Sequence, residues 1–302
     1  MPVYNAQDYL LETIISIKSQ SYNDFELIVI NDGSQDDSLS ILQEFQKHEP
    51  RLRIVDRENK GLVCTLNELT SLAKGKYIAR IDADDICYPE RLRLQVAYLD
   101  THPDHVMVGG QVEAIDPDGR RLMSLVKFFE HDKIENALLK ADAFAIIHPA
   151  IMLRTQTLRE IGGYDETLGI SEDTDMFLRM ARMGKIANLH ETVIDYRMHE
   201  HSATHNKRGL ARELTAMILE REIAVRGLSS DNSIVGLLKN GENTENETRS
   251  SLYEKWAWWA FYGKEFETFL YYAFKAWGQA PFEFSKVKNL LYALRVRLSN
   301  VK

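Results

Sequence analysis

The stretch Lys76-Tyr77-Ile78-Ala79-Arg80-Ile81-Asp82-Ala83-Asp84-Asp85 decides how this chain is read. A run with strand composition stops abruptly at three carboxylates within four positions. So much negative charge at a strand end is costly unless a cation neutralises it, and hard divalent cations take carboxylate oxygens. Alternate residues of an extended segment point the same way, so Asp82 and Asp84 can face one site. A solvated acidic turn is the other reading, and the run by itself does not choose between them.

The residues before this run alternate helix and strand patterns. Asn5 precedes a helix with Leu10, Ile14 and Ile17 on one face, and Asp8 is placed to complete a capping box. Phe25 to Ile30 has the apolar, β-branched content of a buried strand. Asn31-Asp32-Gly33-Ser34 is the turn after it, and Ser34 with Asp37 predicts the cap of a second helix whose inner face carries Leu39, Leu42 and Phe45. Arg51 to Asp56 predicts a strand and Gly61 to Ala73 a helix; the strand of the opening stretch runs Lys76 to Asp82. Pro89 then opens a helix carrying Leu92, Val96 and Leu99. This alternation predicts the α/β class, with a mostly parallel sheet covered by helices on both faces. In such sheets ligands bind beyond the carboxyl ends of the strands, where Asp32 and the acidic run both fall.

Past Val106 the pattern becomes mixed. Val106–Val112, Leu122–Phe128, His148–Leu153 and Ile186–Arg197 read as strands, with Asp116-Pro117-Asp118-Gly119 as a turn. A Gly162-Gly163-Tyr164-Asp165 turn and a helix through Met176, Phe177 and Met180 lie between the last two. From about Asn206 the chain reads as helical, apart from a polar stretch over 229–250 that reads as a linker or loop. Leu252, Trp256, Trp259, Gly263, Phe266, Leu270, Ala273 and Trp277 recur at helical spacing, which predicts a hairpin turning near Gly263-Lys264 with its aromatics in the core. The last segment sets Val287, Leu291, Leu294 and Leu298 on one face, flanked by Lys286, Lys288, Arg295 and Arg297. A basic amphipathic helix of this kind suits either a membrane interface or packing on its own domain. The expected division is a domain over 1–205 and a helical C-terminal region over 206–302.

The 302 residues carry a net charge of −8, which argues against a nucleic-acid partner. Cys64 and Cys87 make no disulfide framework, so a reducing compartment is expected. The start of the chain does not read as a signal peptide, and no run approaches the ~18 apolar residues of a membrane span. A cytoplasmic protein is expected, with peripheral contact at the inner face of the membrane through the basic C-terminal helix.

Five motifs in order resemble those of family 2 glycosyltransferases of the GT-A fold: Pro2-Val3-Tyr4-Asn5, Asn31-Asp32-Gly33-Ser34, Asn59-Lys60-Gly61 with Asn67, Asp82-Ala83-Asp84-Asp85, and Glu172-Asp173 with Asp175. Gly162-Gly163-Tyr164-Asp165-Glu166 and Tyr196-Arg197-x-His199 fit the same family, and the resemblance covers roughly residues 1–205. It implies a Rossmann-like mixed sheet flanked by helices, and inverting transfer of a hexosyl or N-acetylhexosaminyl group. The donor would be a nucleotide diphosphate sugar and the acceptor a saccharide or lipid-linked saccharide hydroxyl, in bacterial surface polysaccharide or glycolipid synthesis. It also implies roles. Asp84 would bind Mn²⁺ or Mg²⁺, Asp82 the ribose beside Ala83 or the metal directly, and Asp85 would take a supporting or capping position. Asp32 would read the nucleotide base, with uridine favoured because a carboxylate accepts the uracil N3–H, and Pro2, Val3, Tyr4 and Asn5 would form another wall. Asn59, Asn67 and Arg80 would be further nucleotide contacts. Asp173 would be the general base, with Gly163, Tyr164 and Glu172 on the acceptor side.

The alternative for Ser171-Glu172-Asp173 is a plain acidic helix cap. His199 would meet the metal or diphosphate, or be an ordinary loop histidine. With His201 and His205 it spaces like a zinc site, but no cysteine or clear fourth ligand lies near. Arg197 would pair the diphosphate or an internal carboxylate such as Asp195. One departure stands out: relatives carry apolar strand residues ahead of Pro2, so the first strand is expected to be nearly absent and the nucleotide pocket weakened. Two other readings compete. A sugar-phosphate nucleotidyltransferase would want a glycine-rich phosphate loop where Pro2-Val3-Tyr4-Asn5 stands, and a non-catalytic sugar-nucleotide-binding assembly subunit would not need Asp84 and Asp173.

Overall fold

A computed structural model of the chain describes residues 1–199, 208–228, 232–240 and 248–279. The first strand exists but is short. β1 (Pro2–Val3) pairs in parallel with β2 (Leu27–Asp32), after the helix α1 (Leu10–Lys18). Every residue of β2 is buried: the apolar run Leu27–Ile30 and the polar Asn31 and Asp32 that end it. After α2 (Ser38–Gln46), β3 (Leu52–Arg57) lies parallel to β2 over six pairs, ending at Asp32 opposite Arg57. The helix α3 (Leu62–Leu72) follows.

The two expected caps do not form. Tyr9 starts α1 without a side-chain cap, and Asp37 precedes α2. Instead the loops before the two helices bind each other: the Asn5 amide donates to Ser34 Oγ (3.0 Å), and Asn5 Oδ1 accepts from the Gln35 amide (2.8 Å). Both polar side chains are used across the loops, where neighbouring strands bring them together, rather than along their own helices.

The strand β4 (Tyr77–Ala79) is shorter than expected. It does not extend the parallel set but pairs antiparallel with a later strand. Next come β5 (Ile86–Cys87), α4 (Arg91–Thr101), β6 (His105–Ile115), β7 (Arg121–Ser124) and α5 (His131–Leu138). The expected strand at His148 begins later, as β8 (Met152–Arg154), because His148–Ala150 forms a 3₁₀ turn around Pro149. Proline has no amide to give a ladder. The helices α6 (Thr155–Glu160) and α7 (Glu172–Met183) and the strand β9 (Lys185–Arg197) follow. The second sheet runs β4-β8-β6-β9-β5, with β7 paired to the far end of β6. The mixed α/β expectation holds, with β1–β3 parallel and the pairs β4–β8, β5–β9, β6–β7 and β6–β8 of the second sheet antiparallel.

The helices α8 (Arg208–Arg226), α9 (Asn232–Asn240), α10 (Arg249–Tyr262) and α11 (Phe266–Gln279) complete the described chain. α9 occupies part of the stretch that reads as a linker. Two compact units result, and they do not divide at 205. The first comprises Met1–Val112, Val126–Tyr196 and Gly209–Gly241; the second comprises Glu113–Leu125, Arg197–Arg208 and Glu242–Lys302. In the first, Ala216, Leu219 and Val235 of α8 and α9 share one core with Ile134, Met176 and Phe177. In the second, α10 and α11 form the expected hairpin against β7, with Trp256, Phe269 and Tyr272 buried. Gly263 sits where a Cβ would meet the Leu122 carbonyl at 2.2 Å, so only glycine lets the hairpin close on β7. Asp116 is buried in the same unit, where its carboxylate accepts the Asp118 and Arg120 amides and the Tyr272 hydroxyl (2.9, 2.7 and 2.7 Å). The basic segment with Val287, Leu291, Leu294 and Leu298, and His201 and His205, lie outside the described residues.

Candidate active site

The acidic run stands where β4 stops. The Arg80 amide donates to Ile151 (3.0 Å) and its carbonyl accepts from Arg91 Nη2 (2.6 Å), so the backbone at Arg80 is tied to β8 and α4 just before the carboxylates begin. Asp82, Asp84 and Asp85 then converge, and each offers a carboxylate oxygen within 4.8 Å of the others. Asp85 is fully buried. Arg80 Nη1 binds Asp82 Oδ2 at 2.5 Å. Burial pushes the Asp82 carboxyl up, the Arg80 charge pulls it down, and Asp84 pushes it up again. The Arg80 guanidinium and the Met1 ammonium both act on Asp82, within an all-oxygen donor set of three carboxylates. That set fits Mg²⁺ or Mn²⁺, not a soft metal.

A second polar cluster gathers at the ends of β2 and β3. Asp32 is buried and held by three donors: the Lys60 and Gly61 amides (both 2.9 Å) and Arg57. Gly33 has φ +73°, and a Cβ there would lie 2.7 Å from the Asn59 amide nitrogen. This close approach brings the Asn59-Lys60-Gly61 turn against Asp32. The Asn59 side chain is exposed. Tyr4 is also exposed, beside Asn5 at φ +49° and the Pro2–Val3 strand.

The turn Gly162-Gly163-Tyr164 has two successive residues in the left-handed region. Its shape is imposed from two directions. The Asn67 side-chain amide accepts from the Tyr164 amide (2.8 Å) and donates to the Tyr164 carbonyl (2.9 Å), so Asn67 shapes the turn. Arg179 donates to the carbonyls of Ile161 and Gly163 (both 2.8 Å) while its other edge pairs with the fully buried Asp175. The Asp175 of the acidic motif is thus a strut, shared with Arg221 of α8. The Tyr164 hydroxyl meets His148 Nε2 at 2.9 Å.

Glu172 and Asp173 open α7 immediately after Ser171, a non-glycine residue at φ +66°. Ser171 Oγ reaches Thr215 Oγ1 (3.2 Å) and the Ala211 carbonyl (3.3 Å). No side-chain cap bond forms from Ser171, so the plain-cap alternative lacks its expected hydrogen bond. Burial pushes the Glu172 carboxyl up to about 7, reinforced by the Asp173 charge. Burial also raises Asp173, against hydrogen bonds from Thr174, whose amide donates to Asp173 Oδ1 at 2.6 Å. Arg80 acts on both. Its charge is also felt by Asp82, Tyr164, His148 and Tyr196. The acidic run and the Glu172–Asp173 pair therefore share one electrostatic centre, the buried Arg80, whose Nε has no protein partner among the described residues.

Reasoning from sequence missed several supports. Leu92 and Val96 pack against the core around Leu99 as expected, but Arg91 and Gln95 are buried on α4 as well. A cation and an amide at helical spacing between apolar residues were the available signal. His148 and Arg57 had no local signal, because their partners are distant in sequence. His199 falls in the second unit, so only the family resemblance speaks for it as a ligand.

Comparison with known proteins places the chain. The model of the family "Glycosyl transferase family 2" matches residues 1–162. The chain is 33% identical over 224 residues to the putative glycosyltransferase EpsE of Bacillus subtilis, covering 72% of this chain and 78% of that protein. It is 32% identical to the O-antigen biosynthesis glycosyltransferase WbnJ of Escherichia coli, over 67% of this chain and 79% of the other. Among solved structures, S. aureus TarS 1-349 in complex with UDP-GlcNAc superposes with a TM-score of 0.62 at 18% identity, over 88% of this chain and 82% of that one. The fold is that of the GT-A glycosyltransferases, and the chain belongs to glycosyl transferase family 2.

Proposed function

We propose that the chain is a metal-dependent inverting glycosyltransferase, moving a sugar from a nucleoside diphosphate, of uridine type, to the hydroxyl of a saccharide or lipid-linked saccharide during surface polysaccharide or glycolipid synthesis. The observation that carries this reading is the joint electrostatic centre: three convergent carboxylates and the Glu172–Asp173 pair around Arg80. A divalent ion at Asp84, beside Asp82 and Asp85, would neutralise the charge that the leaving diphosphate gains. In this reading Asp82, braced by Arg80, takes the ribose, and Asp32 the base. Asp173, its Oδ1 held by Thr174, takes the proton of the acceptor hydroxyl as that oxygen attacks the anomeric carbon from the face opposite the diphosphate. Glu172 and Tyr164, on the braced Gly163 turn, orient the acceptor.

The O-antigen role of WbnJ and the UDP-GlcNAc bound by TarS support the polymer and donor classes. A cytoplasmic location belongs to the same reading, with acceptor chemistry at a membrane face. Among the described residues no helix is long and apolar enough to cross a membrane. The test is a thermal-shift screen of uridine, guanosine, cytidine and adenosine diphosphates with and without Mn²⁺. Stabilisation by uridine diphosphate that requires Mn²⁺ is expected; no response to any nucleotide would remove the donor site.

A further inference from the structure

The geometry points to Arg57 as the residue that sets base selectivity, by leaving Asp32 only one free acceptor position. This rests on the reading of Asp32 as the base contact. An ionised carboxylate offers about four lone-pair directions. Asp32 Oδ1 receives two donors, Arg57 Nη1 and the Lys60 amide, while Oδ2 receives the Gly61 amide alone. One direction remains, on Oδ2.

Arg57 is not a loose surface cation that a ligand can displace. Its side chain is 11% exposed, and each nitrogen has its own partner. Nε donates to Glu68 (2.9 Å), Nη2 to Thr65 Oγ1 (2.8 Å), and Nη1 also to the Glu58 carbonyl (2.8 Å). Arg57 faces Asp32 in the β2–β3 register, and Thr65 and Glu68 project from the first two turns of α3. The strand pair and the helix together fix the guanidinium over Oδ1.

The base edges differ in what they ask of that carboxylate. Uracil presents one N–H, at N3, between two carbonyls. Guanine presents adjacent N1–H and N2–H donors that are satisfied together by both oxygens of a carboxylate, and here the second oxygen is taken. Cytosine can offer that acceptor only its N4–H, which brings its unprotonated N3 up against the anion. A single free acceptor therefore selects the uracil edge, and a lost or mispaired base contact of this type is worth about tenfold or more in discrimination.

The test is the ratio of dissociation constants for uridine, guanosine and cytidine diphosphates with Mn²⁺, measured by calorimetry on the full chain and on Arg57→Met. Unmodified protein is expected to prefer uridine diphosphate by at least about tenfold over each alternative. In Arg57→Met the freed Oδ1 narrows the preference over guanosine diphosphate by about tenfold, through weaker uridine and stronger guanosine binding. Glu68→Gln, which loosens the guanidinium without removing it, shifts the ratio the same way by a smaller factor and serves if Arg57→Met does not fold. A support that matters only for stability would weaken all three nucleotides alike. An unchanged ratio in the variants, or unmodified protein that binds guanosine diphosphate as tightly as uridine diphosphate, overturns the inference while the transferase reading stands. Absence of any nucleotide binding removes the transferase reading itself.

Discussion

Glu172→Gln is expected to stabilise the protein, and the size of the gain should depend on pH in a defined direction. Burial and the Asp173 charge raise the Glu172 carboxyl from 4.5 to about 7 in the folded state. Below pH 4.5 the group is protonated in both folded and unfolded chains, and glutamine mimics it closely. Between 4.5 and 7 the unfolded chain ionises while the folded chain keeps its proton. The folded state then binds more protons, so stability falls as pH rises. Each pH unit costs about 1.4 kcal/mol, so the interval of roughly 2.5 units costs the wild type about 3 kcal/mol by pH 8. The variant escapes this penalty. Urea unfolding of both proteins in chelator at pH 4.5, 6 and 8 measures it. The stabilities should nearly coincide at pH 4.5 and separate to about 3 kcal/mol at pH 8, or about 6–12 °C in melting temperature. A difference that is flat with pH, or one in which the wild type gains stability over the variant as pH rises, would refute the buried, charge-crowded environment assigned to Glu172.

Asp84→Asn should abolish the Mn²⁺-dependent part of uridine diphosphate affinity; unchanged affinity in calorimetry would remove Asp84 as the ligand. Asp173→Asn should leave nucleotide binding near normal and slow sugar transfer by about 10²-fold or more, the scale of lost acid–base catalysis, read as nucleotide release from the sugar donor. Normal turnover would exclude Asp173 as the base. Gly163→Ala places a Cβ 2.6 Å from Asn67 Oδ1 at φ +72°, and should cost about 1–3 kcal/mol while nucleotide binding persists. A neutral effect on melting would show that the turn is not held as described.

Much of the candidate site was legible because its signals are local. An apolar run ending in carboxylates marks a strand end with one sheet periodicity, and Asp82, Asp84 and Asp85 do converge there. The helical spacing of Leu252 to Trp277 likewise fixed the hairpin and its turn at Gly263. Local rules misled where a polar side chain had two possible partners. Asn5 and Ser34 read as helix caps, yet each binds the other's loop, because the parallel β1–β2 pairing brings those loops together. The stretch 229–250 read as a linker from its polarity, yet within it Val235 of α9 enters the core of the first unit.

The sequence by itself determined the α/β class, the places where charge gathers and the family to which those motifs belong. Those properties depend on residues within a few positions of one another. Tertiary structure alone decided which charges act together. Arg80 links the acidic run to Glu172 and Asp173, about 90 positions away, and Asn67 shapes the turn at Tyr164 across a similar distance. It also made the Asp175 of the acidic motif a buried strut for Arg179. A carboxylate's chemistry is set by what neutralises and desolvates it, and chain folding supplies those partners from segments that no local pattern connects.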